Sequence, residues 1–289
     1  MTAAEWITLA LKASIFLTVL GLGMASTWKD ATTLLREPGL LARSMFAMFV
    51  AMPVVVCLIA NFSGLSWEMK VALGALAISP VPPILPKKEL NAGARGGYAL
   101  GLLVLSALIA VVYVPVALEI LRRIFGGEGS VSPLTIGKVV LTSVLVPLIA
   151  GLVIRRIWPA LAEKVSSPTL TVAGLALILA AIPLLIGSWP AIRTLVGNGT
   201  VLIIVLIALT GLALGHLLGG PVADDRVVLA LSTASRHPAV ALAIATSGVL
   251  ETNRELAAIV LYVLVATIVS IPYTLWRRKA AARASAAGG

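Results

Sequence analysis

From position 199 to 219 the chain reads GTVLIIVLIALTGLALGHLLG, without one Asp, Glu, Lys or Arg. A helix that crosses the hydrocarbon core of a bilayer needs roughly 20 such residues. Eight further stretches are apolar over comparable lengths, at 5–26, 40–61, 67–86, 96–121, 134–154, 168–187, 226–250 and 255–276. Only 12% of the 289 residues are charged and the mean hydropathy is +1.06, so the chain has too little polar surface to cover a soluble domain. Backbone groups inside lipid must bond within their own segment, which selects helices. The expected fold is an all-α membrane protein of about nine transmembrane helices, with short connections. The first apolar stretch lacks a basic leader and runs too long before any small-residue cleavage site, so it reads as a span rather than a signal peptide.

The formal charge of +10 does not point to nucleic acid, because the basic residues are scattered between apolar runs instead of massed in one patch. They act as topology determinants. With the N-terminus outside and nine spans, fourteen Lys and Arg residues fall on the cytoplasmic side and six on the other, which also puts the C-terminus in the cytoplasm. A bacterial plasma membrane is the expected location. Cys57 is the only cysteine, so no intrachain disulfide forms; inside an apolar helix it serves as a small buried hydrophobe.

Two spans are abnormal. The third reads ALAISPVPPILPKKEL, with Pro80, Pro82, Pro83 and Pro86 within seven positions. Each proline removes a donor and crowds the preceding turn, so no helix runs through. The eighth reads LALSTASRHPAVALAIA, where Ser232, Thr233, Ser235, Arg236, His237 and Pro238 interrupt the run at its middle. Each is the second member of a three-span group, 40–121 and 199–276, and the two groups enter the membrane with opposite sense. Paired broken helices in inverted halves point to a transporter whose binding site lies where they cross. Ionisable residues inside a membrane are costly and mark function. Gly211, Gly215 and Gly219, spaced by four in the seventh span, read as a close-packing face.

The segment LGLGMASTWKDATTLLREPGLLARSMFAMFVAMP, the crossing ISPVPP and the crossing STASRHPAVALAIA together resemble the bile acid:sodium symporter family. In that family a Gly-Met type turn and an Arg-Pro step precede the second span; here Glu37 stands between Arg36 and Pro38. ISPVPP sits at the family's Pro-Gly-Gly turn, and STASRHP at its Glu-x-Gly-x-Gln-Asn motif. The resemblance implies an inverted-repeat fold with two crossing discontinuous helices. It implies a panel domain (1–36 and 132–190), a core domain (37–131 and 191–276) and a cytoplasmic tail (277–289). The chain is expected to lack the extra N-terminal helix frequent in bacterial members of the family. The family holds sodium with carboxylate, amide and hydroxyl oxygens at the crossings. The alignment puts Ser232 at the glutamate, Arg236-His237 at Gln-Asn, and Lys87-Lys88 in place of the Ser-Asn pair.

A guanidinium or ammonium repels sodium at close range. The expectation is that Arg236, with Lys87 or Lys88, replaces the ion electrostatically and favours a small organic anion, a carboxylate or sulfonate, as substrate. The lysines could instead snorkel to headgroups. His237 is either a proton-coupling group or a prop for unwound backbone. Glu89 and Asn91 either pair with the lysines or face solvent.

No hydrolytic or nucleotide motif appears, so the chain is not expected to be an enzyme, nor to hold a cofactor or metal. Its expected partners are the anion and membrane lipid, with no nucleic acid. Other readings remain: a sodium- or proton-coupled symporter of the same fold, a cation/proton antiporter, and a membrane solute sensor. The antiporter needs an acid at the crossing; Asp224 and Asp225 precede the eighth span, and the third span's break carries none.

Overall fold

The computed structural model describes residues 3–125, 134, 138, 141–196, 199–238, 240–241 and 253–287, and among these the regular structure is entirely helical. The main elements are α1 (Ala3–Ala25), α2 (Pro38–Phe62), α3 (Trp67–Ile78), α4 (Leu85–Asn91) and α5 (Gly96–Phe125). They are followed by α6 (Val146–Ile157), α7 (Pro159–Leu195), α8 (Thr200–Leu218), α9 (Ala223–Ala234) and α10 (Asn253–Ala287). The third expected span is thus α3, a non-helical break and α4. The eighth is α9, a break at Ser235–His237, and a continuation of which Pro238, Val240 and Ala241 are described.

Among the described residues four helices are long and apolar enough to cross a membrane: Pro38–Phe62, Gly96–Leu121, Thr200–Leu218 and Leu256–Arg283. A fifth results if Pro159–Ala180 and Leu185–Leu195, bent by 56°, are one span. The count falls short of nine for physical reasons. The breaks divide two spans into pieces shorter than the bilayer, the apolar part of α1 is Lys12–Ala25, and the fifth and eighth spans extend beyond the described residues. Two ends also differ from expectation. α7 begins at Pro159, directly after Trp158, because proline suits the first helical turn. α10 continues past 276 to Ala287, carrying Arg277, Arg278, Lys279 and Arg283.

The bundle is apolar outside as well as inside. Val112, Leu179, Ile186 and Leu202 are more than three-fifths exposed, on helices whose other faces are buried. Water would not tolerate that surface; lipid does. This is an integral membrane protein. Cys57, on α2, is half-buried rather than enclosed.

α1, α6 and α7 pack on one another. Gly23 and Gly151 bring α1 and α6 into backbone contact: a Cβ on Gly23 would lie 2.6 Å from the Leu148 carbonyl oxygen. The expected glycine face on α8 is real, and its partner is the broken helix. A Cβ on Gly211 would lie 2.9 Å from Ala234 Cα, and one on Gly215 would overlap the Leu229 carbonyl and Ala230 Cα. Close approach of α8 therefore fixes α9 along its length up to the break.

Two single π-turns precede prolines at the same offset: Ala47–Ala51 before Pro53 in α2, and Leu141–Leu145 before Pro147 at the start of α6. Proline cannot donate to the preceding turn, and the widened turn absorbs the clash.

Candidate functional site

The site is built by carbonyl groups that prolines leave without donors. Ser79 ends α3, and its helical partners would be the N–H groups of residues 82 and 83, both prolines. In α2 the Met52 N–H donates to the Ala47 carbonyl, and Pro53 has no N–H, so Met48 loses the donors of both an α- and a π-turn. Phe49 has Pro53 as its α-helical partner, and Ala234 has Pro238. Buried carbonyls of this kind must find donors elsewhere.

They find them in side chains and in the opposite break. Arg236, 3% exposed, donates from Nη1 to the Ser79 carbonyl at 3.3 Å and from Nη2 to the Met48 carbonyl at 3.2 Å. The backbone N–H of His237 donates to the Pro80 carbonyl at 3.0 Å. The Tyr113 hydroxyl donates to the Phe49 carbonyl at 2.7 Å, and the Tyr262 hydroxyl to the Ala234 carbonyl at 3.1 Å. The amide of Val81 donates to the Ser106 hydroxyl at 3.3 Å. The two breaks therefore touch, main chain to main chain, inside the bundle.

The expected residues separate into four groups. Arg236, His237, Ser232, Pro80, Pro82 and Pro83 come together at the crossing and are buried. No carboxylate bonds to Arg236 among the described residues, and its Nε has no partner there; nor do the two ring nitrogens of His237. The lysines reach outward from α4 in different directions. Lys87 Nζ donates to the Leu170 carbonyl of α7 at 3.0 Å, and Lys88 Nζ to the Ser270 hydroxyl of α10 at 2.5 Å. Pro86 lies buried in the first turn of α4, and Pro238 opens the helix after the second break. The Thr233 hydroxyl donates to the Leu229 carbonyl of its own helix at 2.6 Å, and the backbone amide of Ser235 closes the last turn of α9 on Leu231.

Glu89 overturns two expectations. It is fully buried, neither solvated nor paired with the lysines, and its Oε1 accepts a hydrogen bond from the Ser232 hydroxyl at 2.7 Å. An acid therefore stands at the crossing, supplied by α4 to α9, although the break itself carries none. Among the described residues no three His, Cys, Asp or Glu side chains gather as a metal site would require.

At one end of the bundle Arg95 joins three connections. Its guanidinium forks onto Glu37, 2.8 Å and 2.9 Å, and Nε lies 2.9 Å from Asp225 Oδ1. The second contact is an ion pair without hydrogen-bond alignment. The hydrogen bond to Glu37 strengthens the Arg95 charge, whereas burial pushes the Asp225 carboxyl up, against the pull of Arg95. These residues hold the start of α9 against the starts of α2 and α5.

Two interrupted helices that meet at their breaks inside a bundle are the kind of paired discontinuity that lines a shared internal site in membrane proteins. Residues 13–189 match the sodium bile acid symporter family, and the chain belongs to it. Over 180 residues it is 26% identical to a Bacillus subtilis (strain 168) protein described as "Uncharacterized sodium-dependent transporter YocS". The aligned region covers 61% of this chain and spans 55% of the length of that relative. Lys87, Lys88 and Glu89 fall within the family match; Ser232, Arg236 and His237 lie beyond it.

Proposed function

We propose that this protein is a secondary transporter, not an enzyme, that carries a small organic anion of the carboxylate or sulfonate type by alternating access, with fixed cations in place of bound sodium. The panel is 1–36 with 132–190, and the core is 37–131 with 191–276. The N-terminus lies outside and the tail from 277 in the cytoplasm of a bacterial cell.

One observation carries the reading. The Arg236 guanidinium, out of solvent and without a carboxylate among the described residues, is held by two main-chain carbonyls at the crossing. Oxygen atoms with no formal charge are the ligands a hard cation takes, and here a tethered cation takes them. Its uncompensated charge is costly in a bundle unless an anion approaches it. Two carbonyls absorb two of its donor groups, and the remaining N–H groups are available to an oxyanion. Lys87 supports the second half of the proposal. It crosses from the core to α7 of the panel, the boundary at which an anion would pass between the two, whereas Lys88 stays within the core on α10.

A proton-coupled form of the same transporter has its own support in buried Glu89, the acid at the crossing. The test is reconstitution of the purified protein into lipid vesicles, with uptake of a panel of labelled small carboxylates and sulfonates compared against Arg236→Gln and protein-free vesicles. Uptake that requires both the protein and Arg236 supports the reading. Equal uptake by Arg236→Gln would place the arginine outside the anion path.

A further inference from the structure

Glu89 is wholly withdrawn from solvent on α4, and only one of its oxygens is accounted for. Oε1 accepts from Ser232; Oε2 has no hydrogen-bond partner among the described residues. The nearest cation in sequence, Lys88, sends its ammonium to Ser270. The lysines of α4 reach α7 and α10, and the other groups facing Glu89 come from α5 and α9, which pack on α4. From α5 it is Tyr98, whose hydroxyl is bonded to Ser44 at 2.7 Å, and from α9 it is Ser232. The charged residues of α9, Asp224, Asp225 and Arg226, stand six to eight positions before Ser232, about 9–12 Å away along the helix. Asp225 is engaged there by Arg95. No ion pair to Glu89 exists among the described residues.

An ionised carboxylate in this setting leaves a charged oxygen desolvated and without a donor, which disfavours the charged form. A neutral carboxyl does not: Oε1 becomes the carbonyl oxygen and keeps the Ser232 bond, while Oε2 carries the hydrogen. We propose that Glu89 is an exchangeable proton-binding site built into the helix crossing, loaded in the conformation seen here. One proton from solution forms the O–H bond at Oε2, and when the crossing opens to water the same bond breaks and the proton returns to solution. The site gives the cycle an ion to carry where the cations leave no room for sodium. In that respect it rests on the transporter reading above.

The experiment needs no substrate: infrared titration of the full-length protein in lipid vesicles, wild type against Glu89→Gln and Ser232→Ala. The wild type is expected to show a protonated-carboxyl band that disappears as pH rises and is missing from Glu89→Gln throughout. In Ser232→Ala the carboxylate loses its only donor, so the band persists to higher pH, its midpoint displaced about tenfold or more in proton concentration. Ser232→Ala retains the acid and keeps the test open if Glu89→Gln fails to fold. No Glu89 band anywhere from about pH 5 to 9, a band constant over that range, or an unmoved midpoint in Ser232→Ala would overturn the proposal. Failure of the wild type to take up any anion would defeat the transporter reading and leave this titration standing.

Discussion

The backbone N–H of His237 bonds the carbonyl of Pro80 over 3.0 Å, so the two interrupted helices are joined at their breaks by main chain alone. Around that bond the side chains of Arg236, Tyr113 and Tyr262 serve the carbonyls that prolines have stripped of donors.

Arg236 has two jobs, bridging Met48 to Ser79 and presenting positive charge, and the two can be separated. Arg236→Gln keeps one donor and loses the charge; Arg236→Lys keeps the charge but not the planar fork. Anion affinity should fall about tenfold or more, ~1.4 kcal/mol, in the glutamine variant. The lysine variant should retain more of the affinity while melting lower, because one of the two carbonyls is left without its donor. Calorimetric titration and thermal unfolding in detergent measure the two effects.

Tyr262 donates to the carbonyl that Pro238 orphans. Tyr262→Phe should lower stability by about 1–3 kcal/mol, the cost of one buried acceptor left unsatisfied. An unchanged melting temperature would mean that another donor replaces the hydroxyl.

The α8–α9 contact admits no side chain at Gly215. Gly215→Ala forces backbone apart and should destabilise by about 1–3 kcal/mol. Gly187→Ala, where an added Cβ meets nothing within 4 Å, is the control and should melt like the wild type or slightly above it.

Arg95 is the only cation paired to nearly buried Asp225 among the described residues, and its removal should make stability depend on pH. Burial already raises the Asp225 carboxyl, and without Arg95 nothing opposes that rise. An acid whose folded-state pKa is raised is most stabilised when protonated, and loses that stability as pH climbs. Arg95→Met should therefore melt below the wild type at neutral pH, with the gap narrowing toward the usual carboxylate range. A gap independent of pH would show that the loss is one of packing.

The breaks were legible because prolines are unambiguous in an apolar run, and Arg236 and His237 because ionisable residues inside a span stand out. The glycine face of α8 was legible by its spacing, though not its partner. Glu89 was not: behind two lysines, past the end of a span, it reads as a surface residue, and its burial depends on α4 folding back onto Ser232. The bond of the Thr233 hydroxyl was not legible either, since a hydroxyl beside a break reads as a ligand yet here donates to its own helix. Tyr113, Tyr262 and Met48 carry no local signal. Their roles follow from which carbonyl a proline three to five residues downstream leaves open, and that rule can be applied to sequence directly.

The central claim is that a tethered cation occupies the place of a bound one. Anion uptake into vesicles of the reconstituted protein, with sodium replaced throughout by choline, tests it most directly. The account predicts the same initial rate in both media; collapse of uptake in choline, restored by adding sodium back, would contradict it.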